Sequence, residues 1–97
     1  PFIENGRTMV PLRAVFEVMN CKVRWDESNS SAVIEYEGTK IIVPANSNVV
    51  FINGKESKLD VPAKLVKGRI MVPLRFISEA IDKKVIWDDT EKTVLIY

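Results

Sequence analysis

One stretch of this chain occurs twice. Gly6-Arg7-Thr8-Met9-Val10-Pro11-Leu12-Arg13 returns as Gly68-Arg69-Ile70-Met71-Val72-Pro73-Leu74-Arg75, an offset of 62 residues. At the same offset Glu17 meets Glu79, Lys22 meets Lys84, Val23 meets Val85 and Trp25-Asp26 meets Trp87-Asp88. The result is 12 identities over the 23 positions from Gly6 to Ser28. Such a repeat marks a supersecondary unit that cannot bury its apolar face alone and stacks on a copy of itself. Two copies point to one pseudo-symmetric domain, not a solenoid.

Each copy can be read locally. Asn5-Gly6 and Lys67-Gly68 are turn signals. Pro11 then suits the first position of a helix, where its missing N–H costs nothing. Leu12, Val15, Phe16 and Met19 share one helical face, and Leu74, Ile77 and Ile81 keep the stripe with Ser78 in place of Phe16. Helices are expected at about 12–20 and 74–82. Segments this short are unstable alone and must be held by packing on a sheet. Asn20 and Asp82 stand where the helices should stop, and both tolerate the left-handed conformation used there. Val23 and Trp25 alternate with Lys22 and Arg24, so a strand with one apolar face follows, and Val85 and Trp87 repeat it. Polar turns lead into β-rich stretches at about 32–37 and 93–97, expected to return as hairpins. If Tyr36 is matched to Tyr97, the first return strand carries one extra residue, which calls for a bulge or a register shift. Strands at 39–43, 49–52 and 55–61 follow, the last two joined by Asn53-Gly54.

The expectation is an α+β fold: two pseudo-symmetric half-repeats, 1–43 and 49–97, with an antiparallel β-sheet packed against two short α-helices. Residues 1–97 read as a single domain of two βαββ-like halves. Two separate domains of fewer than about 50 residues, with no disulfide or metal, would be marginal. The chain opens at Pro1 and enters a strand-like stretch at once, so it reads as a piece excised from a longer protein.

The chemistry available is narrow. The chain has no His and one Cys, which removes the commonest general base and the usual zinc or copper ligand sets. Its four Gly all sit in turns, so no phosphate-cradling loop is formed. Asp26-Glu27, Asp60 and Asp88-Asp89 could in principle supply a carboxylate pair for glycoside hydrolysis, but their placement reads as turn and capping chemistry. With 14 basic and 13 acidic residues the net charge is +1, so the electrostatic footprint of a nucleic-acid binder is missing. No apolar run is long enough to span a membrane. Cys21 reads as a small apolar residue. No catalytic, cofactor-binding or metal-binding residue is assigned, and no cofactor is expected.

Six residues are candidate anchors between helix and sheet: Arg13, Glu17, Trp25, Arg75, Glu79 and Trp87. Arg13 and Glu17, like Arg75 and Glu79, lie four apart and can pair on one helical face. The arginine either supports the helix surface or lies over the tryptophan of the next strand. The tryptophans alternate with core valines and are expected in the core; if exposed, they would be sugar-stacking platforms.

The string Asn5 to Arg13, then Glu17, then Lys22-Val23-Arg24-Trp25-Asp26, resembles the copper amine oxidase N-terminal-like, or stalk, domain family. The second copy matches from Ile52-Asn53-Gly54-Lys55 through Leu59-Asp60-Val61-Pro62 to Trp87-Asp88. Asn20 and Asp82 replace a Gly often found after the helix in that family. The resemblance implies an antiparallel sheet wrapped against helix and an extracellular or cell-envelope setting in a bacterium. It also implies a stalk remote from any active site, so that no catalytic residue carries over. On this reading the chain is a non-catalytic structural or interaction module of a larger protein. Its partners would be neighbouring domains of the same chain, cell-wall polysaccharide or another protein. The alternative is an accessory part of a cell-wall-acting hydrolase.

Overall fold

The computed structural model describes residues 2–97. Among them are two helices and eleven strands. In chain order these are β1 (Phe2–Glu4), β2 (Arg7–Pro11), α1 (Leu12–Val18), β3 (Lys22–Asp26), β4 (Ser31–Tyr36), β5 (Thr39–Pro44), β6 (Val49–Ile52), β7 (Lys55–Lys58), β8 (Lys64–Val66), β9 (Arg69–Pro73), α2 (Leu74–Ile81), β10 (Val85–Asp88) and β11 (Thr93–Ile96). The fold is α+β and mostly β, and every strand pair is antiparallel.

The single sheet expected from the sequence is divided into three. β3-β4-β5-β6-β7 form a five-stranded sheet, β1-β2-β9-β8 a four-stranded one, and β10-β11 a two-stranded hairpin. The division arises because the five-stranded sheet is built only from chain neighbours, whereas β2 pairs with β9, far away in sequence. In that pair Met9 faces Pro73, Val10 faces Val72 and Pro11 faces Met71. Two short strands also precede the repeated string: β1, in the strand-like stretch read at the start of the chain, and β8, which was not anticipated. Each repeated segment is therefore ββαββ, not βαββ.

Local chemistry accounts for the elements. The hairpin turn Asn53-Gly54 has positive φ at both residues, 51° and 82°, as the type I′ turn favoured between twisted strands requires. Lys67-Gly68 adopts the same form with Lys67 at φ 51°, a conformation that costs a side chain with a Cβ roughly 1 kcal/mol. Pro11 and Pro73 are extended, with ψ of 121° and 133°, and stand one residue before each helix. They end β2 and β9 and are not the first helical residues. Asn20 and Asp82 take the left-handed conformation after the helices, at φ 60° and 55°. Val23 pairs with Ile34 and Trp25 with Ala32, while Val85 pairs with Ile96 and Trp87 with Val94. The two registers coincide at the offset of 62, so there is no bulge, and the counterpart of Tyr97 is Glu35, not Tyr36.

One cluster of buried residues draws on both helices and all three sheets, including Val10, Leu12, Phe16, Ile34, Ile41, Val72, Ile77 and Val85. Each fully buried side chain of this size contributes about 1.5–3 kcal/mol by leaving water. This burial is what holds helices only seven and eight residues long. A smaller cluster of Met9, Val61 and Met71 lies against Phe2 and Val66. Lys64 Nζ donates to Glu4 Oε1 at 2.6 Å, joining the outer strands of the four-stranded sheet. Flat strands would hold them about 14 Å apart, so the sheet curls.

Candidate functional site

The two tryptophans sit at the margin of the core. Both are partly exposed and pack against the main cluster. Their strands, β3 and β10, lie at the edges of their sheets, so one flank of each ring stays open. Trp25 Nε1 donates to Glu27 Oε2 at 2.9 Å, and Trp87 Nε1 donates to Asp89 Oδ1 at 3.2 Å. Each indole is thus tied to an acid two residues ahead on the following turn.

The ion pairs read from the helices are present. Arg13 Nη1 lies 3.1 Å from Glu17 Oε2, and Arg75 Nε 3.4 Å from Glu79 Oε2. All four side chains are more than half exposed, which places the pairs in the range of about 0.3–0.5 kcal/mol. Arg13, Glu17 and Trp25 line one groove together with Arg24, Leu65 and Arg69. Arg75 and Glu79 line a different groove from Trp87. The six candidate anchors therefore form one three-residue group and, in the second segment, a separate pair and ring.

The carboxylates of Asp26 and Asp88 are spent on their own turns. Asp26 Oδ1 accepts from the backbone N–H and hydroxyl of Ser28, and Asp26 Oδ2 from Asn29 Nδ2 at 2.9 Å. Hydrogen bonds from the Asn29 and Ser28 side chains hold its pKa below the usual aspartate value. Asp88 Oδ1 accepts the N–H groups of Thr90 and Glu91 at 3.0 and 3.2 Å. The Trp87 N–H, and then Lys92, lower the pKa of Asp89. An acid that must hold a proton for catalysis needs the opposite shift. Burial, and then the charge of Glu37, push the Cys21 thiol up, away from the thiolate a nucleophile needs.

Sequence reading missed a contact between distant residues. Arg7 donates from Nε and Nη2 to Asp60 Oδ2, at 3.0 and 2.6 Å. These residues are 53 positions apart; the only hint was that Gly-Arg opens both copies of the repeat.

The geometry defines a class of protein: an α+β module, mostly β, whose ionisable groups brace turns and strand edges. The chain belongs to the copper amine oxidase N-terminal domain family, whose model matches residues 1–96. A search of curated proteins gave no match. The family is the non-catalytic N-terminal part of copper amine oxidases, in keeping with a structural module and with a place in a larger multidomain chain. Copper does not suit the residues here. The chain has no His, and among the described residues no three His, Cys, Asp or Glu gather where a metal ion could be held. No described helix is long and apolar enough to cross a membrane.

Proposed function

We propose that this chain is a non-catalytic structural and interaction module, a stalk or spacer, of an extracellular or cell-envelope protein. The observation that carries the reading is the use made of the acids. Asp26 and Asp88 brace their own turns, Asp60 pairs with Arg7, and Glu17 and Glu79 pair along their helices. Asp26 and Asp89 are held below the ordinary carboxylate pKa, the reverse of what a proton-donating acid needs. The envelope setting rests on the family resemblance alone.

On the same reading, residues 1–97 are a single domain of two half-repeats, 1–43 and 49–97, related by a pseudo-twofold axis near Val10 and Val72. The reciprocal register Met9–Pro73 and Pro11–Met71 supports the axis. The shared core supports the single domain. So does the radius of gyration of 12.3 Å, against about 12.5 Å for a compact domain of this length. Arg13, Glu17 and Trp25 share one groove and fasten α1 to its hairpin, whereas in the second half Arg75 and Glu79 support the α2 surface and Trp87 packs its hairpin on the core separately.

The test is made in the full-length parent protein. Asp26→Asn, Asp60→Asn and Asp88→Asn together should leave any catalytic activity of the parent unchanged. Loss of turnover with the fold intact by circular dichroism would overturn the non-catalytic reading.

A further inference from the structure

Arg7 and Arg69 occupy the same place in the repeated string, yet only Arg7 has an acid against it. Asp60 lies 2.6 Å away, while Arg69 forms no ion pair among the described residues. Asp60 arrives beside Leu59, which is 6% exposed and belongs to the same buried cluster as Phe76. Backbone bonds fix this segment, from Leu59 N–H to Asn48 O at 2.6 Å and from Ala63 N–H to Ser47 O at 3.1 Å. Leu59 and Asp60 thereby line a groove with Arg7, Pro73, Phe76 and Ala80.

The offset of 62 maps those last four residues onto Arg69, Pro11, Ala14 and Val18. All four line a second groove of about 950 Å³. No described segment plays the part of Leu59-Asp60 there. Its floor is apolar, with Met71, Trp87 and Val94 beside Ala14 and Val18. Its charged lining is Lys67, Arg69 and Lys92, without a carboxylate. Lys92 is held by Asp89 at 3.1 Å, which leaves Lys67 and Arg69 as the unneutralised cations. The open edge of β11 runs alongside. Lys84 and Tyr97 exchange backbone hydrogen bonds, so by the alternation of an antiparallel ladder the N–H and C=O groups of Val94 and Ile96 point away from β10.

We propose that this groove docks an extended segment of a partner protein in which an apolar residue directly precedes an Asp or Glu. The carboxylate takes Arg69, as Asp60 takes Arg7, and the apolar side chain covers Ala14 and Val18, as Leu59 covers Phe76 and Ala80. The outward backbone groups of Val94 are available to the segment's main chain. Charge complementarity selects an acidic segment. A second copy of this chain is a poor occupant, because its own Leu59 is buried and its own Asp60 is already paired with Arg7. The proposal deepens the interaction half of the proposed function and can fail alone, since a spacer that docks nothing here is still non-catalytic.

The probe is the end-capped peptide of residues 56–63, Glu56-Ser57-Lys58-Leu59-Asp60-Val61-Pro62-Ala63, titrated into the ¹⁵N-labelled chain. Saturable shifts are expected at the amides of Val18, Lys67, Arg69 and Val94. Affinity should fall at least about tenfold, the scale of one lost charge-assisted hydrogen bond, with the Asp60→Asn peptide or with Arg69→Gln in the protein. Arg69 is exposed, so an unchanged denaturation midpoint for Arg69→Gln confirms that the fold survives. Three results would each overturn the proposal: no shifts at millimolar peptide, equal binding of the Asn peptide, or shifts confined to the surroundings of Arg7. Self-association in sedimentation that occupies the Arg69 groove and excludes the peptide would overturn it as well.

Discussion

The hairpins β3–β4 and β10–β11 share a register and differ in what lies beside them. β4 is flanked on its far side by β5, which pairs with it from Ser31 to Tyr36. β11, at the same offset, has no strand on that side among the described residues. The consequence shows residue by residue. Val33 is 3% exposed and its counterpart Leu95 is 40% exposed. Phe76 on α2 is buried, whereas Ala14 at the same place on α1 is exposed, and Val18 reaches 61%. The same backbone unit thus becomes interior or surface according to whether β5 to β7 and Leu59 cover it. Burial here is conferred by the neighbouring chain as much as by the repeated string itself.

The comparison can be broken by mutation in matched pairs, followed by chemical denaturation. Phe76→Ala should cost about 3–5 kcal/mol, the usual loss for a buried aromatic, while Ala14→Phe should stay within about 0.5 kcal/mol of wild type. Equal costs would mean that α1 and α2 are equally covered. Next, Ile34→Ala should cost about 2–5 kcal/mol, and Ile96→Ala, at the same register but half-exposed, about half as much. Ser78→Ala should cost about 1–2 kcal/mol, because the Ser78 hydroxyl accepts the Val85 N–H at 3.2 Å and its loss strands a part-buried donor. Smaller still, Arg7→Ala should cost under about 1 kcal/mol, as exposed pairs do, and Arg69→Ala nothing measurable. A double-mutant cycle with Asp60→Ala reads the Arg7 term directly.

The fifth test uses acid. Asp26 and Asp89 have folded-state pKa values below the ordinary 3.8. Their contribution is therefore fully present above that value and is lost as pH falls through the lower folded values. Stability should drop in this acid range, and Asp26→Asn and Asp89→Asn should each flatten the drop. A profile unchanged by either substitution would mean that these turns are not held by their carboxylates.

Much of this was legible in the chain. The stripe of Leu12, Val15 and Phe16 named a helix face that is fully buried, and the Asn-Gly and Lys-Gly pairs marked the tight hairpins. Alternation at Val23 and Trp25 gave the inward face but not the depth. A period of two cannot tell an edge strand from a central one, so the tryptophans looked more buried than they are. The division into three sheets was hidden because β2–β9 pairing joins residues 62 apart, beyond any local pattern. Arg7–Asp60 was hidden for the same reason. The pairing of Arg13 with Glu17 was visible from spacing alone, and its modest, exposed character followed from the helix surface.

The pairing of Val10 with Val72 also bears on how the chain reaches its folded state. The five-stranded sheet can zip up hairpin by hairpin, each closing a short loop at little entropic cost. The β2–β9 contact must close a loop of 62 residues, and contacts of such long separation slow folding. Assembly is then expected to run from the middle of the chain outward, with the two copies of the repeat meeting last. Substitutions at Val10 or Val72 should chiefly accelerate unfolding, and those in β4 or β5 should chiefly retard folding.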